Sequence, residues 1–291
     1  MNPGERVHHG AARFGRFALA LTALAWAAPA QSAAAATAAP PVPLATAPQS
    51  GPAHAHFAAR ILTLEGPPLD DAVLVEQGGV IVAIGPRATT PIPAGAVHHH
   101  HDGRWLCPGF VDLHHHVSGG GGDINDMVMP LNPELRTLDV VKPSEDMIRR
   151  AAAGGITTTL FIPGSGTNLG GFGVLLKMRH GTELDTMVVR QPGAMKVAQG
   201  FNPERRSGDL GLTRMGSSEL LTQLLERGRD YAAAWRAHRA GTGPKPTFDA
   251  SLEQLRQVFD KQVPVLIHTA GARDCIATAR MFQDVFDVWM I

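Results

Sequence analysis

From Trp105 to Ile291, short runs of β-branched and apolar residues alternate with stretches of helical periodicity. ITTTLFIPG (Ile156–Gly164) and VPVLIHTAG (Val263–Gly271) read as buried strands, and WLCPGFVDLHHHV (Trp105–Val117) as a third. TMVVR and AMKVAQG are further strand candidates. PSEDMIRRAAAGG reads as a helix with Ser144 as N-cap and Gly154 as its stop. A long helix opens at Ser217 or Ser218 and runs to about Ala240, with Leu220, Leu221, Leu224 and Leu225 on one face. Ala250–Lys261 and Arg273–Gln283 follow as helices. Strands alternating with helices imply parallel βα units and an α/β fold.

Upstream the texture differs. ARILTL, DDAVLVEQGGVIVAIG and AVHHHH are short Val/Ile-rich runs punctuated by Gly-Pro, Gly-Gly and Asp-Gly. Gln77-Gly78-Gly79 between AVLVE and VIVAI marks a hairpin. Residues 56–104 are therefore expected to form a small antiparallel sheet ahead of the α/β region at 105–291.

The first 30 residues read as an export signal. Arg6, Arg13 and Arg16 precede the apolar stretch Phe17–Ala30, which is shorter than the ~20 residues a span needs. Ala28-Pro29-Ala30 fits a cleavage site, so a periplasmic or secreted protein with no membrane attachment after cleavage is expected. Residues 31–55 are rich in Ala and Pro and read as a disordered tether. The 291-residue chain has a formal net charge of zero, which argues against a nucleic-acid partner. Cys107 and Cys275 each sit by an apolar run and are expected as separate buried thiols.

Histidines concentrate at His98–His101 and His114–His116. Along a strand, alternate side chains share a face, so Asp112, His114 and His116 point one way and His115 the other. Two imidazoles so placed can bind one metal ion, and in parallel α/β barrels sites gather at the C-terminal strand ends. The SGGGG run just after them reads as a flexible entry loop. In His98–His101 the same alternation sends side chains to both faces, so at most two could share a metal. SGTNLGGFG (Ser165–Gly173) lacks a P-loop ending and reads as a mobile loop over a barrel mouth.

PGFVDLHHH (Pro108–His116) resembles the Pro-Gly-x-x-Asp-x-His-x-His signature of the amidohydrolase superfamily. GGITTTLFIPGSGTNLGGFGVLLKM, GAMKVAQGFNPERR and TRMG resemble its imidazolonepropionase-like members. The resemblance covers roughly Arg60 to Ile291. It implies a (β/α)8 TIM-type barrel, here incomplete, entered from the small sheet. It implies a divalent metal, zinc by preference, one or two ions, held by His114, His116, His268 and a carboxylated Lys196, with Asp112 behind the pair. A water activated by that metal would hydrolyse C–N bonds of a small amide, cyclic amide or dipeptide. Phe201 stands where these relatives carry a carboxylate. The superfamily's general-base aspartate ends the eighth strand. Trp105–Ile291 falls short of the ~250 residues such a barrel usually takes, so that residue is expected beyond Ile291 and this chain to be inactive. Two alternatives stand beside this: a non-catalytic periplasmic metal-binding protein using the clustered histidines, or a barrel completed by a second chain.

Overall fold

A computed structural model describes residues 50–204 and 213–291. The export segment and most of the tether lie outside the described residues. The chain divides into two compact units: Asp71–Asp102 together with the chain up to Ala58, and Ala59–Asp70 together with Gly103–Ile291.

Four strands make the small sheet: β1 (Ala53–Ile61), β2 (Leu69–Gln77), β3 (Val80–Pro86) and β4 (Val97–Leu106), in the order β3-β2-β1-β4. Gln77 pairs with Val80, and Gly78 and Gly79 take φ of 62° and 79°, as the tight turn requires. Ala53, Ala55, Phe57, Val73 and Val75 pack into its core. β1 begins inside the stretch read as tether, because the alternation AHAHF supplies a buried face. The sheet is not antiparallel throughout. His54 meets His99 and His56 meets His101 at a constant offset of 45 residues, as in a parallel pair. β4 also takes in Trp105 and Leu106, so WLCPGFVDLHHHV is broken at Cys107–Gly109 rather than being one strand.

The second unit is built on a five-stranded sheet, β5 (Phe110–His115), β6 (Ile156–Phe161), β7 (Leu169–Lys177), β8 (Val188–Ala198) and β9 (Val265–His268), in that order. β5 and β6 are parallel, as are β8 and β9. β7 is antiparallel to both β6 and β8, which corrects the expectation of parallel βα units throughout. It also corrects the reading of SGTNLGGFG as a mobile loop, since its second half is a buried strand with Leu169 and Phe172 in the core. The glycines serve close packing. Gly171 has φ +103°, and a Cβ there would lie 2.3 Å from the Leu135 carbonyl oxygen. In the same way SGGGG is partly packed: Ser118 and Gly119 are buried, and the Ser118 carbonyl accepts from the Lys142 N–H at 2.9 Å.

The helices are α1 (Asp146–Ala153), α2 (Leu184–Met187), α3 (Arg214–Arg239), α4 (Ala250–Glu253), α5 (Leu255–Phe259) and α6 (Ala272–Ala279). α1 starts two residues after Ser144 and has no side-chain cap. α3 starts earlier than its serines suggest, because the Thr213 side chain accepts the Gly216 N–H. Leu221, Leu224 and Leu225 of α3, with Leu255 and Val258 of α5, cover Met195 and Val197 of β8. Truncating one of these leucines to Ala should cost about 2–5 kcal/mol. Trp289 and Ile291 exchange main-chain hydrogen bonds with β9, with Met290 bridged in parallel to Val265. Cys107 and Cys275 are free and exposed, not buried, since one lies in the break before β5 and the other on the outer side of α6. Among the described residues no helix is long and apolar enough to cross a membrane.

Candidate functional site

β8 explains how a lysine comes to be buried. Met195 and Val197 face the helices, so Ala194 and Lys196 face the opposite side of the sheet. Ala194 packs there with Leu160 and Ile162 from β6 and its extension and with Leu266 from β9. Lys196 follows the parity of Ala194, and His268 that of Leu266. The Lys196 side chain is 0% exposed and its Nζ has no hydrogen-bond partner. Burial pushes its pKa down to about 8. His268 Nε2 is likewise buried without a partner. Burial first, then the charges of Lys196 and His116, hold the His268 pKa below the usual histidine value.

His114 and His116 lie at the C-terminal end of β5. Their Nε2 atoms are 3.2 Å apart with the rings nearly perpendicular. His116 Nδ1 lies 3.1 Å from the Ile162 carbonyl oxygen. A carbonyl only accepts, so His116 donates from Nδ1 and its Nε2 carries a lone pair when the ring is neutral. Burial holds both pKa values below the usual one, and the charge of Lys196 lowers them further. Neutral imidazole is the form that binds metal.

Asp112 is placed differently from the expectation of an acid behind the pair. One of its oxygens accepts the His114 main-chain N–H at 2.9 Å, and the other lies 3.6 Å from His115 Nδ1. Its charge reaches His114 and His116, opposing the depression of their pKa values. His115 is buried against Phe161. Phe201 is 75% exposed at φ +61°, its N–H directed to Glu204.

The donor set suits a cation in two respects. Two nitrogens each ~2.0–2.1 Å from one tetrahedral ion stand about 3.3 Å apart, close to the spacing of the His114–His116 pair. Lys196 Nζ and His268 Nε2 are buried polar atoms with nothing to bond. In one respect it falls short: among the described residues no three His, Cys, Asp or Glu side chains are gathered closely enough to hold a metal ion. A cavity of about 390 Å³, lined by Asp123, Asn125, Asp126, Arg136 and Pro163 among others, is not lined by any of the four site residues.

The reading of the sequence missed His54 and His56. These face His99 and His101 across the β1–β4 pair. The alternation in AHAHF was the available signal, lost because its first half resembled the tether.

No family model matches the chain. An amidohydrolase, TasK, of Hapsidospora irregularis is 29% identical over 232 residues, which is 69% of this chain and 23% of that protein. An imidazolonepropionase of Sphingopyxis alaskensis is 36% identical over 105 residues, 35% of this chain and 23% of that protein. The chain thus spans about a quarter of the length of these relatives. The crystal structure of an amidohydrolase from Thermotoga maritima superposes with a TM-score of 0.70 and 25% identity, over 81% of this chain and 63% of that one. The signature segment ends β5, its histidines converge, and the relatives found by sequence and by structure support one reading: the chain is similar to the amidohydrolase superfamily in sequence and in fold.

Proposed function

We propose that the inner face of the five-stranded sheet is the first part of a metal-dependent amidohydrolase site. His114, His116 and His268 would hold a divalent cation, zinc by ligand type. Lys196 would join them as its carbamate. The observation that carries this reading is the buried, unpartnered Lys196 Nζ on the same face as the convergent imidazoles. An isolated buried ammonium is costly, and here it has no carboxylate bonded to it. With its pKa near 8, about a tenth of the amine is unprotonated at pH 7, far more than for an ordinary lysine. A neutral amine adds CO2 and releases one proton, giving a carbamate whose oxygens can ligate.

A bound divalent cation supplies Lewis acidity, polarising a carbonyl oxygen and bringing the pKa of a coordinated water down to ~7. The chain's own residues do the rest of the preparation. The Ile162 carbonyl orients His116, and Asp112 fixes the end of β5 through the His114 N–H. The apolar shell of Leu160, Ile162 and Leu266 excludes water behind Lys196. Asp112 is already engaged with His114 and His115, so it does not serve as the proton acceptor that C–N hydrolysis requires. With no other proton acceptor assigned among the described residues, the chain is proposed to bind metal without turnover, and the proposed substrate class is a small amide, cyclic amide or dipeptide. The Arg-led stretch Phe17–Ala30 supports an exported protein.

The test is zinc binding and hydrolysis measured on the same preparation. Zinc uptake that falls in H114N/H116N, with no turnover of a dipeptide and cyclic-amide panel, agrees with the proposal. Enzyme-like hydrolysis would overturn the claim of inactivity, and zinc uptake indifferent to His114 and His116 would overturn the site.

A further inference from the structure

The small sheet carries a second concentration of imidazoles that the amidohydrolase reading does not use. On β1, Ala53, Ala55 and Phe57 point into the core, which sends His54 and His56 to the other face. On β4, His98 and His100 lie against the Phe57 ring, at 5.1 and 4.9 Å between centroids, so His99 and His101 join His54 and His56. The four rings interleave from the two strands. Centroid separations are 5.2 Å for His54–His99, 4.6 Å for His99–His56 and 5.5 Å for His56–His101, with interplanar angles of 22°, 11° and 8°. All four are half-buried, so they are held in place yet reachable from solvent.

Each rung brings two nitrogens together: His54 Nδ1 and His99 Nε2 at 3.0 Å, His56 Nδ1 and His101 Nε2 at 3.3 Å. Nitrogens at that separation either share one proton or share one cation, since two ligands on a single ion also stand about 3 Å apart. Glu76 Oε1 lies 4.0 Å from His54 Nε2. A carboxylate on that side favours a proton on Nε2 and leaves the His54 Nδ1 lone pair turned to His99, the arrangement by which outer carboxylates orient metal-binding histidines.

We propose that this face of the small sheet is a metal site in its own right, binding a divalent transition metal through the His54–His99 and His56–His101 rungs. The two imidazole nitrogens of a rung, with the remaining positions open, suit Cu2+ best, because Cu2+ heads the divalent affinity order and is satisfied by nitrogen donors in a plane. The exposed side of the rungs leaves room for water or an external ligand to complete the coordination. The site takes up the ion without any role for His114, His116, Lys196 or His268.

The test is Cu2+ titration of the full chain carrying H114N/H116N, read by competition with a chelating dye and by electron paramagnetic resonance. The expected result is one Cu2+ per chain with resolved coupling to at least two nitrogens. H99Q/H101Q should weaken binding about tenfold or more, and H54Q/H56Q, on the partner strand, should do the same. H98Q/H100Q removes as many imidazoles from the same strand but from the other face, and should leave affinity and nitrogen coupling unchanged. Circular dichroism confirms that each variant retains its sheet. Equal losses in H98Q/H100Q and H99Q/H101Q would overturn the proposal in favour of an unspecific histidine run, as would binding that H54Q/H56Q does not alter.

Discussion

The Nδ1–H of His116 is donated to the carbonyl of Ile162, 3.1 Å away, one residue past the end of β6. That single bond joins two neighbouring strands at their C-terminal ends and decides which nitrogen of His116 faces His114. Orienting bonds of this kind typically carry 10–100-fold in metal affinity.

The first prediction follows from that bond. His114→Asn and His116→Asn each remove a donor from the 3.2 Å pair. Zinc affinity should drop about tenfold or more for either, roughly 1.4 kcal/mol. Chelator competition on the H99Q/H101Q chain, where the small-sheet imidazoles do not contribute, checks this.

Lys196 makes a prediction about stability in the presence of a chelator. Its folded pKa is about 8 against 10.5 for the ordinary lysine. Between those values the unfolded chain holds the proton and the folded chain does not, so stability rises as pH increases from about 8 to 10.5. Below about 8 both states are protonated and the folded state bears the full cost of burial, roughly 3 kcal/mol. Lys196→Met should raise stability at pH 7 by an amount of that order and flatten the rise, as read from urea unfolding at several pH values.

His114, His116 and His268 act in the acid range. Each has a folded pKa below 6.5. As pH falls through 6.5 the unfolded chain takes protons first, so metal-free stability should fall from 6.5 downward until the folded values are passed. Combined replacement of the three by Asn should reduce that slope, measured by the same unfolding series.

Much of this was legible in the sequence, for stated reasons. Consecutive apolar positions placed β6 and β9, and the odd–even rule anticipated the approach of His114 and His116 but not the Asp112 carboxylate that lies 3.6 Å from His115 Nδ1. β7 was not legible, because glycine removes the side-chain pattern by which strands are recognised. Gly170, Gly171 and Gly173 are there for close approach of neighbouring backbone and side chains, a property of the tertiary structure. The buried thiols failed because apolar neighbours in sequence say little about exposure at a strand break or on the outer side of a helix. His54 and His56 were missed because their partners lie 45 residues away.

The β7 correction has its own test. Gly171→Ala would force a side chain onto φ +103° and a Cβ to 2.3 Å from the Leu135 carbonyl, whereas Gly121 has nothing within 4 Å. Gly171→Ala should lower stability by roughly 1–3 kcal/mol or more, and Gly121→Ala should leave it within about 0.5 kcal/mol. Thermal unfolding distinguishes the two.

β5 is an edge strand, and Phe110, Val111 and Leu113 on it are 62%, 57% and 47% exposed. An open apolar edge recruits further strands, from the same protein or another copy. Self-association of the chain, read by light scattering, should decrease in Phe110→Lys.

The central claim is that one cation sits between the imidazoles at the end of β5, on the face that buries Lys196. Zinc-edge anomalous diffraction from crystals grown with zinc and bicarbonate tests it most directly. The account predicts a peak bonded to His114 Nε2 and His116 Nε2, with carbamate density on Lys196 beside it. A peak confined to the small sheet, with the His114 and His116 rings bonded only to each other and a bare lysine at 196, would contradict it.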